Sequence, residues 1–129
     1  MKNLNIKCPP GEYDIPDITL NYNTGICEFS GESYPENSIG FYDPVIEWLN
    51  QYMFKEKKPI QINFKLYYFN TSSSKSLYDL LMLLKKYQDE GGNITIYWYC
   101  ESWDIDLLEE IEDFVLSTGL KINIIKYEK

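Results

Sequence analysis

The stretch that decides the fold runs Ile60-Gln61-Ile62-Asn63-Phe64-Lys65-Leu66-Tyr67-Tyr68-Phe69-Asn70-Thr71-Ser72-Ser73-Ser74 and continues through Leu77, Leu80, Leu81, Leu84 and Tyr87 to Gly91-Gly92. Two periods meet in it. Ile60, Ile62, Phe64, Leu66 and Tyr68 alternate with Gln61, Asn63, Lys65, Tyr67 and Phe69, which is the period of a strand. From Leu77 the apolar residues recur every three or four positions. That predicts a helix over 74–89, stopped by the glycine pair. Ile94, Ile96 and Trp98 mark the next strand. Strand, helix and strand in succession favour parallel pairing through a crossover.

The pattern extends in both directions. Upstream, Tyr42, Val45, Ile46, Leu49, Tyr52 and Met53 share one helical face. Pro44 suits a first turn, so this helix is expected to become regular near Asp43. Further upstream, Ile18, Leu20 and Tyr22, the turn Asn23-Thr24-Gly25, and Ile26 to Ser30 read as a β-hairpin. The residues before it, with Pro9, Pro10, Gly11 and Pro16, read as an irregular lead-in, and Ser30–Ser38 as a polar loop. Downstream, Leu107, Leu108, Ile111, Phe114 and Val115 form a third helical face ending at Gly119, and Ile122 and Ile124 fall in a last strand. The predicted order is β-β-α-β-α-β-α-β, an α/β fold with a single mixed sheet. Each later strand has one apolar face and one polar or aromatic face, so the helices should lie mainly on one side. A length of 129 residues fits one domain spanning the chain.

Composition narrows the function. Twelve Lys and Arg against twenty Asp and Glu leave a net charge of −8. That disfavours nucleic acid and anionic membrane, whose phosphates need basic partners. The chain has no histidine, which removes Ser-His-Asp and Cys-His catalysis and histidine-ligated metals. Cys8, Cys27 and Cys100 are odd in number and lack CxxC spacing, so free thiols in a reducing cytoplasm are expected, with no metal and no cofactor. No apolar run approaches a membrane span, Met1–Cys8 lacks the apolar core of a signal peptide, and Gly91-Gly92 lacks the rest of a phosphate-binding loop.

Three features invite a functional reading. Thr71 to Ser74 place four consecutive hydroxyl residues between a strand end and a helix start. One of them, or Asn70, is needed as a cap. The others stand where unpaired N–H groups and a partial positive charge suit an added phosphate. The acidic group Asp104, Asp106, Glu109, Glu110, Glu112 and Asp113 reads as a solvated helix face, with a small enzyme as a weaker rival. Tyr67 and Phe69 on one strand and Tyr97 and Tyr99 on another are expected to cluster on the sheet face away from the helices. There they are either covered by the lead-in or exposed as a protein-contact patch, which a constitutive interaction module would also use.

Ser30-Gly31-Glu32-Ser33-Tyr34-Pro35-Glu36-Asn37 resembles the "GxSYPEN" signature of the SiaC-type regulatory phosphoproteins, and Tyr68-Phe69-Asn70-Thr71-Ser72-Ser73 resembles their "YxNTSS" segment. Phe41-Tyr42, Glu47-Trp48-Leu49 and Ile96-Tyr97-Trp98-Tyr99 follow in matching order, so the resemblance covers the chain from about Tyr13 onward. It implies a bacterial, cytoplasmic, non-catalytic protein whose fold is similar to that of anti-sigma-factor antagonists, the STAS type. It implies Thr71 as the phosphoacceptor, flanked by Asn70, Ser72 and Ser73. A dedicated protein kinase would add the phosphate and a metal-dependent serine/threonine phosphatase would remove it. The unphosphorylated form would bind and activate a diguanylate cyclase, raising cyclic di-GMP and promoting biofilm. Ser33, Tyr34, Glu36 and Asn37 are expected near the partner interface. An anti-sigma-factor antagonist controlling transcription is the alternative within the same fold.

Overall fold

The computed structural model describes all 129 residues. Six strands form one sheet in chain order: β1 (Leu4–Ile6), β2 (Asp17–Leu20), β3 (Ile26–Ser33), β4 (Ile60–Phe69), β5 (Ile94–Glu101) and β6 (Asn123–Tyr127). The first three pair antiparallel, and β3 to β6 pair in parallel. Helices α1 (Ser38–Asn50), α2 (Thr71–Asp89) and α3 (Ile105–Thr118) fill the three crossovers. The mixed α/β sheet expected from the sequence is present.

The core is one cluster of 28 buried residues between the sheet and the helices. Ile62, Phe64, Leu66, Ile96 and Trp98 face it from the sheet, and Val45, Leu49, Leu77, Leu80, Leu84 and Ile111 from the helices. Trp98 lies at its centre, with ring centroids 4.4 Å from Phe64 and 5.8 Å from both Phe69 and Phe114, and its indole N–H donates to the Leu66 carbonyl at 3.0 Å. Burying an aromatic side chain of this size is worth roughly 2–3 kcal/mol. The helix ends obey local chemistry. Asn37, Asn70 and Asp104 cap α1, α2 and α3, each accepting from the N–H three residues on. Gly119, with φ at 75°, closes α3 in the left-handed conformation.

Several expectations need correction. The lead-in is not wholly irregular, because Leu4-Asn5-Ile6 pairs with β2 as an edge strand; three residues carry too little alternation to be recognised. The Ser30–Ser38 loop is strand as far as Ser33. α1 starts at Ser38 rather than near Asp43, with the exposed Pro44 inside it. The strong Asn37 cap, not the proline, sets that start. α2 likewise starts at Thr71 rather than 74, because Asn70 is its cap.

The last correction concerns β4. Its pairing with β3 slips by one residue: Gly31 faces Leu66, but Glu32 faces Tyr68. Tyr67 is the extra residue of this β-bulge. A one-residue slip reverses side-chain direction, so Phe69 enters the core at 4% exposure while Tyr68 is 50% exposed. Phe69 therefore does not join Tyr67, Tyr97 and Tyr99 on the face away from the helices. On that face Tyr67 is 52% exposed and Tyr97 and Tyr99 are half-buried. No helix covers it. The lead-in reaches only its Tyr67 end, where residues 8–13 lie beside Ser30, Gly31 and Glu32.

Candidate functional site

Because β3, β4 and β5 run in parallel, the helices that follow them all begin at the same edge of the sheet. Such edges are where open α/β sheets carry their binding sites. The two segments singled out in the sequence meet there. Ser33 ends β3 opposite Phe69, and its carbonyl accepts the Asn70 N–H at 3.1 Å. The Ser33 hydroxyl donates to the Ser73 hydroxyl at 2.9 Å and lies 2.7 Å from the Tyr42 hydroxyl. Ser33 has one hydroxyl proton, so Tyr42 is the donor to it, and the chain runs Tyr42 to Ser33 to Ser73. Beside it, the Ser38 hydroxyl lies 2.7 Å from that of Ser76 and 3.2 Å from the Ser72 carbonyl. Ser33 and Ser73 are fully buried, and Tyr42, Ser38 and Ser76 nearly so. Burial pushes the Tyr42 phenol up to about 12, so it stays a neutral donor.

The four consecutive hydroxyls therefore separate. Ser73 faces the core, with its N–H donating to the Asn70 side chain at 2.9 Å. Ser74 is half-buried, and Thr71 and Ser72 are exposed. Thr71 lies at the mouth of an open groove of about 730 Å³ between α2 and α3. Lys75 and Tyr78 line it from α2, Glu110, Asp113 and Phe114 from α3. Lys75 has no ion-pair partner, since the two pairs in the molecule are Lys65–Glu28 and Lys85–Asp89. Across the groove, the Glu110 carboxyl is raised above its ordinary value, first by desolvation and then by Asp104, Asp106 and Asp113.

The other expected residues divide between structural and exposed positions. Asn37 spends its side chain capping α1, accepting from the Gly40 N–H at 3.1 Å. Glu36 is exposed. Tyr34 is 38% exposed, its ring set edge-on to Tyr68 at 5.9 Å beside the groove. Tyr67, Tyr97 and Tyr99 belong to the open sheet face, and the Lys65 ammonium lies 5.4 Å from the Tyr99 ring. Sequence reasoning missed Ser38, Tyr42 and Ser76 as partners of the hydroxyl cluster, and Lys75, Tyr78 and Glu110 as groove residues. A signal for one existed: Ser73 and Ser76 continue the Leu77, Leu80, Leu84 stripe backwards at helical spacing, so their side chains had to point inward.

The fold and this hydroxyl-rich helix start define an α/β protein with an open groove at the helix-bearing edge of a mixed sheet. Residues 10–127 match the family model described as "SiaC family regulatory phosphoprotein", and the chain belongs to that family. It is 31% identical over 105 residues to an uncharacterized protein of Pseudomonas aeruginosa strain UCBPP-PA14, covering 81% of this chain and 83% of that one. It is similar to the solved structure of SiaC of Pseudomonas aeruginosa, with a TM-score of 0.87 at 28% identity over 98% of this chain and all of the other. A second solved structure, diguanylate cyclase SiaD in complex with its activator SiaC from the same organism, matches with a TM-score of 0.87 and 28% identity over 96% and 99%.

Proposed function

We propose that this protein is a cytoplasmic, non-catalytic switch that binds and activates a diguanylate cyclase when Thr71 is free, and releases it when Thr71 is phosphorylated. A protein kinase and a metal-dependent serine/threonine phosphatase set the balance, and cyclic di-GMP and biofilm formation follow it. The observation that carries the reading is the position of Thr71. Its side chain is exposed on the first residue of α2, beside a groove, at a helix start with no acidic residue in its first turn. A phosphate there meets unpaired N–H groups and a favourable dipole, worth about 0.3–1 kcal/mol, so it leaves the fold intact.

The same phosphate is intolerable inside a partner interface. An unpaired buried charge costs about 3–5 kcal/mol, which weakens a contact by more than about a hundredfold. The switch thus works through affinity and needs no large change of shape. Exposed Tyr34 and Glu36 lie on the segment bonded to this helix start and extend the contact surface. No helix is long and apolar enough to cross a membrane.

The test uses the purified chain with the diguanylate cyclase encoded in the same genome. The unmodified chain raises cyclic di-GMP synthesis, and the phosphorylated chain does not. Thr71→Ala activates constitutively and takes no label. Labelling and switching that persist in Thr71→Ala defeat the assignment. Capture of an anti-sigma kinase instead of the cyclase transfers the switch to transcription.

A further inference from the structure

We propose that the buried hydroxyl chain Tyr42–Ser33–Ser73, with the Ser38–Ser76 pair beside it, is a specificity device that keeps phosphorylation at the start of α2 off Ser73 and turns Ser72 aside. The inference rests on the reading of Thr71 as phosphoacceptor and adds what excludes these two neighbours. Thr71, Ser72, Ser73 and Ser74 carry nearly equivalent nucleophiles in four successive residues. Phosphoryl transfer forms a bond from the acceptor oxygen to the γ-phosphorus of ATP, breaks the bond to the β–γ bridging oxygen, releases ADP and passes the hydroxyl proton to a kinase base. The acceptor oxygen must therefore be accessible, with a lone pair free to point at phosphorus.

Ser73 fails the first condition and meets the second only in part, with one of its two lone pairs already engaged. It is fully buried, and a lone pair of its oxygen accepts the Ser33 proton at 2.9 Å. Ser33 spends its one proton on Ser73, so the 2.7 Å contact with Tyr42 is filled by the Tyr42 proton. Ser38 grips the next turn twice, at the Ser72 carbonyl and the Ser76 hydroxyl. These bonds fix the rotation of the first turn of α2. About 100° of rotation per residue then turns Ser72 away from the groove that Thr71 borders. Ser33, Ser38 and Tyr42 are positioning residues in this account, since none touches the phosphate.

The experiment expresses four proteins in the native cells and maps phosphate by peptide mass spectrometry: wild type, Thr71→Ala, Ser33→Ala/Ser38→Ala, and the triple variant. Each broken bond of ordinary strength raises the locally opened population roughly tenfold. Wild type should carry phosphate on Thr71 alone and Thr71→Ala none. The triple variant should regain it on Ser73, at least roughly tenfold above the Thr71→Ala background. A purely structural role for the serines would lower stability without moving the modified site.

A folded triple variant that stays unlabelled overturns the proposal, as does wild-type phosphate on Ser73. Wild type without phosphate anywhere defeats the switch itself and this inference with it. Hydrogen exchange on unmodified Ser33→Ala tests the lock separately. Amides of Ser73 to Ser76 should exchange roughly tenfold faster while those of α3 hold their rates, and unchanged exchange overturns the lock. Should Ser33→Ala fail to fold, Tyr42→Phe removes only the terminal donor and is used in both arms.

Discussion

The starts of α2 and α3 lie on neighbouring strands and use the same capping geometry, yet they are built for different ends. Asn70 accepts from Ser73 N–H at 2.9 Å, and Asp104 from Leu107 N–H at 3.1 Å. At α2 the cap is neutral, the first turn has no acid, and four hydrogen bonds tie Asn70, Ser72, Ser73 and Ser76 to Ser33 and Ser38. At α3 the cap is a carboxylate, Asp106 adds a second one, and Trp103 and Ile105 are 71% and 65% exposed. α3 has already filled its positive end with its own charge. α2 has left it empty while holding the surrounding backbone fixed. One motif type therefore yields a finished helix start in one place and a receptive one in the other.

Substitutions can break or sharpen this contrast, and the largest effect belongs to the tied start. Ser33→Ala strands buried hydroxyls and should lower stability by about 1–3 kcal/mol. Ser102→Ala, whose exposed hydroxyl reaches the Tyr127 carbonyl at 3.2 Å, should change it by less than about 0.5 kcal/mol. Urea unfolding compares the two, and equal losses would erase the distinction. Next come the caps. Asn70→Ala and Asp104→Ala should each cost about 1 kcal/mol. Only the Asp104 loss should shrink as salt rises, because only it removes a charge from the dipole. Identical salt dependence would show that the caps are electrostatically equivalent.

Charge at the first turn gives smaller effects of opposite sign. Asp106→Asn should lower stability, and Thr71→Asp raise it, each by about 0.3–1 kcal/mol. Thermal melts at low salt read both, and a destabilising Thr71→Asp would mean that the start of α2 does not welcome an anion. The smallest effect is Glu110→Gln. The folded-state pKa of Glu110 is raised above 4.5, so the folded protein binds the proton more tightly than the unfolded chain. Stability is then lost as pH rises through that window, and the penalty is full above it. The Gln variant should melt slightly higher than wild type at pH 7 and level with it at pH 3. A constant offset would assign the difference to packing instead.

Much of this was legible in the chain because its signals are local. The alternation at Ile60–Leu66, the leucine stripe of α2 and the stop at Gly119 depend on residues within a turn or two of one another. Thr71 was legible as a candidate for the same reason. The partners of Ser73 were not, since Ser33 and Ser38 reach it and Ser76 across 40 and 38 residues. Nothing near a serine states which distant hydroxyl will meet it. The helix starts were placed late because Pro44 and the serine run outweighed Asn37 and Asn70, whose side chains bond forward to the third residue. The faces of Tyr68 and Phe69 were misjudged because the slip beside Gly31 and Glu32 arises from pairing between strands.

That slip sets a reading frame for the sheet edge. Which side chain after Leu66 faces inward is counted from the bulge, not from the beginning of the strand. Deleting Tyr67 would restore simple alternation and leave Leu66, Tyr68 and Phe69 opposite Gly31, Glu32 and Ser33, so Phe69 would still enter the pocket beside Trp98 and Phe114. The cap of α2 would keep its place beside Ser33, and Thr71 with it. A single-residue deletion at this exposed tyrosine is thereby one the strand can absorb, because it removes the one residue that has no partner on β3.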